Sequence, residues 1–212
     1  ARQVIPGYGH AVLREPDPRF VEQRRFAKEN ISGSDIINVV WKCFEVVPKE
    51  LQALGLKILY VGCETGDTEL LHLVNKGETF ASSLDALQKI KAATIKSSVM
   101  ILNGLGGPKY STQHALASAQ LMNESQPDYL STLVLEFPFG SQRFEKGFKG
   151  DWKEMSRLEL FQEMKLLMEN LHLNKTIFRS DHASNHLVLK GILGRDKIRM
   201  SHEIDMAIQM VM

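Results

Sequence analysis

The stretch Ser97 to Gly107, SSVMILNGLGG, constrains the fold of this chain more than any other. An apolar run, Val99 to Leu102, ends in a loop carrying Gly104, Gly106 and Gly107. A short apolar run bounded by glycines reads as a buried strand. Helical periodicity precedes it in Leu84 to Ala93 and follows it in Ser111 to Asn123. A strand set between helices is the middle of a βαβ series, whose strands pair in parallel through right-handed crossovers.

The rest of the chain from Leu51 onward fits that series. Leu56 to Gly62, LKILYVG, reads as a strand. Asp67 is placed to cap a helix over TELLHLVNK, which Gly77 closes. Phe80 to Ala93 is a second helix, with Leu84, Leu87 and Ile90 on one face. After the central strand come a helix over Thr112 to Asn123, a turn at Pro127-Asp128 and a strand over Tyr129 to Phe137. Pro138 to Gly150 reads as a long loop, Leu158 to Leu171 as an amphipathic helix and Thr176 to Arg179 as a short strand. Ser180 to Gly191 reads as a polar loop, and Asp196 to Met210 as a last helix. The expected fold class is α/β: a partial (β/α) barrel-like parallel sheet with an N-terminal, mainly helical segment.

In such a sheet the functional groups gather at the C-terminal ends of the strands. Glu64-Thr65-Gly66, Gly104 to Gly107 and Glu136 to Ser141 fall there and can form one ligand face. Glu64 can accept hydrogen bonds from an amine or a ribose, and the glycines can admit an adenine or a phosphate. Pattern alone favours the plainer alternative, in which Glu64 and Thr65 cap a helix and the glycines make turns. His182, Ser184, Asn185 and His186 form the densest polar cluster and read as a network tying the last helix to the sheet. His72, His114, His172 and His202 fall on expected helices and read as solvated. Arg143, Lys146 and Lys149 read as a solvated loop, and Met164, Met168, Met206 and Met210 as core filling.

The first 50 residues do not belong to this series. Pro6, Gly7 and Gly9 make a tight loop followed directly by His10, and Arg14 and Arg19 flank a proline-stiffened EPDP segment. Phe20 to Ala27 and Ile36 to Val47 have helical spacing, the second stopped by Pro48. A loop histidine near two arginines suits a carboxylate substrate: His10 can polarise a carbonyl and an arginine can fork onto the carboxylate. Spacing alone favours a turn with surface charges.

Composition excludes several classes. A formal net charge of +1 gives no electrostatic basis for nucleic acid or an anionic membrane. No apolar run approaches the ~18 residues that span a bilayer. Two cysteines, Cys43 and Cys63, suggest no disulfide framework and fit a reducing compartment. Two thiols alone do not ligate an iron–sulfur cluster or a structural zinc, which take about four ligands. No metal site is expected.

The wording of two segments carries further information. PGYGHAVLR and DPRF, continuing through QRRFAKEN to EVVP, resemble the active-site segment of citrate synthase over Ala1 to Glu50. By that resemblance His10 hydrogen-bonds the oxaloacetate carbonyl, Arg19 binds its carboxylate, Arg14 contacts a coenzyme A phosphate, and the Gly7–Gly9 backbone lies along the coenzyme. The second histidine and the aspartate that such an enzyme also needs have no matching motif here.

YVGCETGDTELL, NKG, ILNGLGG, PDYLSTLVLEFPFGS and RSDHASNHLVLKG, over Leu51 to Ala207, resemble the C-terminal half of a radical S-adenosylmethionine protein. The nearest group is the iron–sulfur oxidoreductases similar to oxygen-independent coproporphyrinogen oxidase. By that resemblance Glu64, Thr65 and Gly66 stand near S-adenosylmethionine, Thr65 replacing a serine, while Gly104, Gly106 and Gly107 line the adenine. The family's [4Fe–4S] cluster rests on a CxxxCxxC loop that these residues lack.

Two domains are therefore expected, 1–50 and 51–212. The expected protein is a truncated or degenerate radical S-adenosylmethionine protein fused to a citrate synthase-like fragment, with neither catalytic set complete. The alternatives are a citrate synthase fragment and a non-catalytic chimera. A small-molecule ligand, self-association through an open sheet edge, and a cytoplasmic or mitochondrial matrix location complete the expectations.

Overall fold

The computed structural model describes residues 52–53, 55–137 and 140–212. His10, Arg14, Arg19, both helices expected before Pro48, and Pro138 lie outside the described residues, as does the side chain of Arg143. The described elements, in chain order, are β1 (Ile58–Glu64), α1 (Thr68–Leu73), α2 (Phe80–Ala92), β2 (Lys96–Asn103) and α3 (Gly107–Ser125). Then follow β3 (Tyr129–Val134), α4 (Gln142–Gly147), α5 (Arg157–Asn170), β4 (Ile177–Arg179), β5 (Lys190–Ile192) and α6 (Leu193–Val211).

The strands form one open five-stranded sheet in the order β1-β2-β3-β4-β5. The first four run parallel, and β5 runs antiparallel to β4. Helices connect the parallel strands, which is the architecture of a partial (β/α) barrel. The expected partial-barrel parallel sheet is present, and the antiparallel β5 adds a strand at the end of the segment expected to be a polar loop. Its physical reason is the connection: Ser180 to Leu189 contains no helix, and a parallel crossover needs a dozen or more residues, usually helical.

Local chemistry accounts for the helix boundaries. The Asp67 carboxylate accepts from Leu70 N at 2.8 Å and caps α1. Thr79 with Ser82 and Ser156 with Glu159 form capping boxes on α2 and α5. Helix α1 closes at Val74, three residues before Gly77. Helix α3 begins at Gly107, with Pro108 in its first turn. The glycine-rich loop is thus only a short turn, because a proline whose N–H no helix partner requires starts the helix early. The expected loop over 138–150 contains α4, which packs Phe144 and Phe148 into a cluster with Phe137 and Trp152. Four aromatic rings over a short distance fix this segment where its turn residues alone predict none.

Strand β2 alternates as its sequence requires: Ser97, Val99, Ile101 and Asn103 are buried and the residues between them half-buried. The buried face meets α2, α3, α5 and α6 through Leu87, Ala115, Met164, Met168 and Ile204, in one continuous core. Met164 and Met168 fill that core as expected, whereas Met206 and Met210 are exposed at 41% and 79%. Both lie on the outer side of α6, whose buried residues are Leu193, Met200 and Ile204. No helix among the described residues is long and apolar enough to cross a membrane.

Candidate functional site

The C-terminal ends of β1 and β2 carry two turns. At the first, Thr65 N donates to Cys63 O at 2.7 Å across Glu64, whose φ is +65°. A bond between residues two apart with a positive φ at the centre is a γ-turn of the rare, strained kind. The pairing with β2 shifts register between Gly62 and Glu64, which leaves Cys63 as a bulge. The bulge and the γ-turn swing the Glu64 side chain back over Gly62. Its Oε1 accepts from Lys76 Nζ at 2.9 Å. A Cβ on Gly62 would stand 2.6 Å from that oxygen, so only glycine leaves the carboxylate its place.

Thr65 and Gly66 face inward. Thr65 is wholly buried, and its Oγ1 accepts from Asp67 N at 3.0 Å. The same oxygen lies 2.8 Å from His114 Nδ1 on α3. Gly66 N donates to Ser118 Oγ at 3.0 Å. A Cβ on Gly66 would meet Ala117 O at 2.2 Å, so the turn seats directly on the α3 backbone.

At the second turn, Gly104 has φ +81° and its N–H donates to Glu163 Oε1 at 2.7 Å. Protein atoms already pack this turn. Added Cβ atoms would meet Leu160 at Gly104, Tyr110 and Leu70 at Gly106, and the Lys153 backbone at Gly107. Gly104, Gly106 and Gly107 are all buried, so the glycines serve close packing as well as turning. The structure brings Glu64, Thr65, Gly66 and Gly104 into one connected group. Of these, Glu64 alone presents a side chain that is not fully buried.

His114 and Glu163 link the turns, and neither was legible as a site residue. His114 is 1% exposed, which corrects its reading as solvated. Its position is in phase with the buried face formed by Ala115, Ser118, Ala119 and Met122, and that phase was the available signal. Burial pushes its pKa below the ordinary value, against the opposing pull of the Glu163 and Asp67 carboxylates. The Leu102 carbonyl takes a ring proton on Nε2, and in that tautomer Nδ1 accepts from the Thr65 hydroxyl. Glu163 Oε1 lies 3.8 Å from Nε2.

Among the other histidines, His72 and His202 are exposed on helices, and His172 lies in the connection after α5. In the polar cluster, His182 Nδ1 lies 2.8 Å from Ser184 Oγ and accepts from Ser184 N at 3.2 Å. Asn185 Nδ2 donates to Thr132 O at 2.8 Å, so the cluster ties its loop to β3 instead of to the last helix. The tie to α6 comes from Asp196, which accepts from Ile192 N at 2.8 Å. Lys146 and Lys149 are exposed, as expected of solvated charges.

Among the described residues no group of three or more His, Cys, Asp or Glu side chains is placed to hold a metal ion. Cys63 is 4% exposed, and burial, with the Glu64 carboxylate beside it, pushes its pKa up to about 12. A thiol so held stays protonated near neutrality and is a poor metal ligand. With two cysteines in 212 residues, these residues do not fit the three-thiolate seat of a [4Fe–4S] cluster.

A profile of the radical SAM superfamily matches residues 2–122. Curated relatives match a short segment of about 50 residues. A probable mitochondrial citrate synthase of Glossina morsitans morsitans is 49% identical over 53 residues, 25% of this chain and 11% of that protein. A mitochondrial 2-methylcitrate synthase of Yarrowia lipolytica is 49% identical over 55 residues, 26% of this chain and 12% of that protein. Mitochondrial citrate synthase 4 of Arabidopsis thaliana is 51% identical over 53 residues, 25% and 11% of the two chains. The chain therefore spans 11 to 12% of the length of these relatives.

Proposed function

Since the chain belongs to the radical SAM superfamily, whose profile matches more than half of it, we propose that its sheet rim binds S-adenosylmethionine and does not cleave it. The observation that carries this reading is the Glu64 turn. A strained γ-turn on a bulge, at the C-terminal end of a parallel strand, holds a carboxylate over a glycine. Strain of this kind persists where the surrounding structure over-determines it, and it concentrates at ligand sites. Glu64 is the group that accepts from the ribose hydroxyls. Thr65 and Gly66 set its direction, and Gly104, Gly106 and Gly107 shape the adenine side from beneath. When a [4Fe–4S] cluster is bound, a radical SAM protein gains the electron that splits the sulfonium. The cysteines of these residues do not fit that group.

Titration of S-adenosylmethionine into the full chain tests the reading. Saturable heat is expected, weakened about tenfold or more by Glu64→Ala, the loss that a hydrogen bond to a charged group implies. Absence of heat, or equal affinity in the variant, removes it.

The N-terminal identity to citrate synthases supports a second reading of residues 1–50, as a citrate synthase-like fragment joined to the radical SAM part near Glu50. In it His10 and Arg19 hold a keto acid and Arg14 a coenzyme A phosphate. The fragment is inactive, because groups that act as a unit lose nearly all rate when one is missing. Citrate formation from acetyl-CoA and oxaloacetate, abolished by His10→Ala, overturns that inactivity. The partner of the whole chain is a small molecule, with no nucleic acid or membrane. The β1 edge, open among the described residues, gives a surface for self-association. The location is cytoplasm or mitochondrial matrix.

A further inference from the structure

We propose that His114 and Glu163 are positioning residues that lock the Glu64-Thr65-Gly66 turn to the Gly104 turn and so set the geometry of the adenosyl site. The proposal rests on the reading above for its function, and on geometry alone for its existence. Polar contacts at His114 and Glu163 join the turns, with the His114 ring between Thr65 and the Leu102 carbonyl of the Gly104 turn. Asp67 N reaches Thr65 Oγ1 at 3.0 Å, and Thr65 Oγ1 reaches His114 Nδ1 at 2.8 Å. His114 Nε2 then lies 3.8 Å from Glu163 Oε1, which accepts from Gly104 N at 2.7 Å. These contacts cross from α1 through α3 to α5, so no single element carries them.

Packing does not explain these residue types. The side chains of His114 and Glu163 are 1% and 2% exposed, and apolar residues of similar volume fill such space at lower cost. Glu163 Oε2 is buried with no hydrogen-bond partner among the described residues, an expense that no bond offsets. What the pair does that leucine or phenylalanine does not is supply an acceptor at each end. One end takes the Thr65 hydroxyl, whose neighbour is Glu64. The other takes the first N–H of a turn held at φ +81°. A buried polar pair that fixes two turns specifies one arrangement at a cost in stability, here including the unpartnered Glu163 Oε2.

Hydrogen exchange read by mass spectrometry on the full chain decides it. His114→Phe is expected to speed exchange at both turns, since the ring faces Thr65 on one side and the Leu102 carbonyl of the Gly104 turn on the other, and Glu163→Leu at the Thr65–Asp67 turn, which Glu163 does not bond. Each acceleration is about tenfold or more, while the β3 segment around Leu130 stays slow. Glu163→Gln keeps the acceptor for Gly104 N–H and stays near the wild-type rate at that turn. Thr65→Val keeps both positioning residues, preserves side-chain shape and removes only the hydroxyl. It keeps the question decidable if the larger changes unfold the chain, because loosening at Gly104 supports the lock and silence there overturns it. Acceleration by Glu163→Leu confined to the Gly104 turn, or equal acceleration throughout, also overturns it. In the same preparations, affinity for S-adenosylmethionine falls about tenfold in the His114→Phe and Glu163→Leu chains. If the wild-type chain itself fails to bind, the functional reading falls alone, and the exchange pattern still decides the lock.

Discussion

A buried imidazole that accepts a hydroxyl proton loses that bond when it is protonated. His114 is in this position, with its pKa held below the ordinary value by burial. The unfolded chain binds a proton on this histidine near pH 6.5 that the folded chain refuses. Stability then rises with pH through that range, and it drains away as pH falls from about 6.5 through the lower folded value. Urea midpoints at pH 7.5 and pH 5.5 check this. The loss on acidification is expected to be larger in the wild type than in His114→Gln, whose side chain does not titrate. Equal losses contradict the assignment of a neutral, buried imidazole. This residue also shows where sequence reading stops. The periodicity around it places it on a buried face, but a histidine among small residues has no pattern that distinguishes a solvated ring from one bonded to a threonine 49 residues away.

At the scale of elements, β1, β2 and β3 were legible because each is an apolar run set among helical segments, and Asp67 caps α1 as its type predicts. The antiparallel β5 was hidden, because its three residues are too few to show alternation and their direction depends on the loop before them. Helix α4 was hidden because aromatic packing, not propensity, holds it. The candidate site was legible only in outline. Glu64 and Gly104 stand where strand ends predict a rim, but the bulge that turns Glu64 over Gly62 has no local signature. The same bulged strand is the free edge of the sheet, paired with β2 on one side among the described residues, and its Tyr60 is 77% exposed. An open parallel edge is a template for another chain. Sedimentation velocity is expected to show concentration-dependent association of the wild-type chain, reduced by Tyr60→Lys. A monomer at all concentrations, or no change in the variant, counts against that use of the edge.

At the scale of the whole molecule, one chain is similar to two kinds of protein. The radical SAM profile covers residues 2–122, and the citrate synthase identity covers a segment of about 50 residues. On the proposed reading the first supplies a ligand rim, and the second a histidine and two arginines without the rest of a catalytic set. Cys63 is a buried thiol with its pKa pushed up to about 12, beside the Glu64 carboxylate that accepts from Lys76. On the proposed reading, retention of S-adenosylmethionine separates from its cleavage. Labelled S-adenosylmethionine, incubated with the full chain after anaerobic treatment with iron, sulfide and dithionite, tests this most directly when the bound fraction is recovered and its label identified. The account predicts label retained above the Glu64→Ala background and recovered as intact S-adenosylmethionine. Recovery of the label as 5′-deoxyadenosine, or no retention above that background, contradicts it.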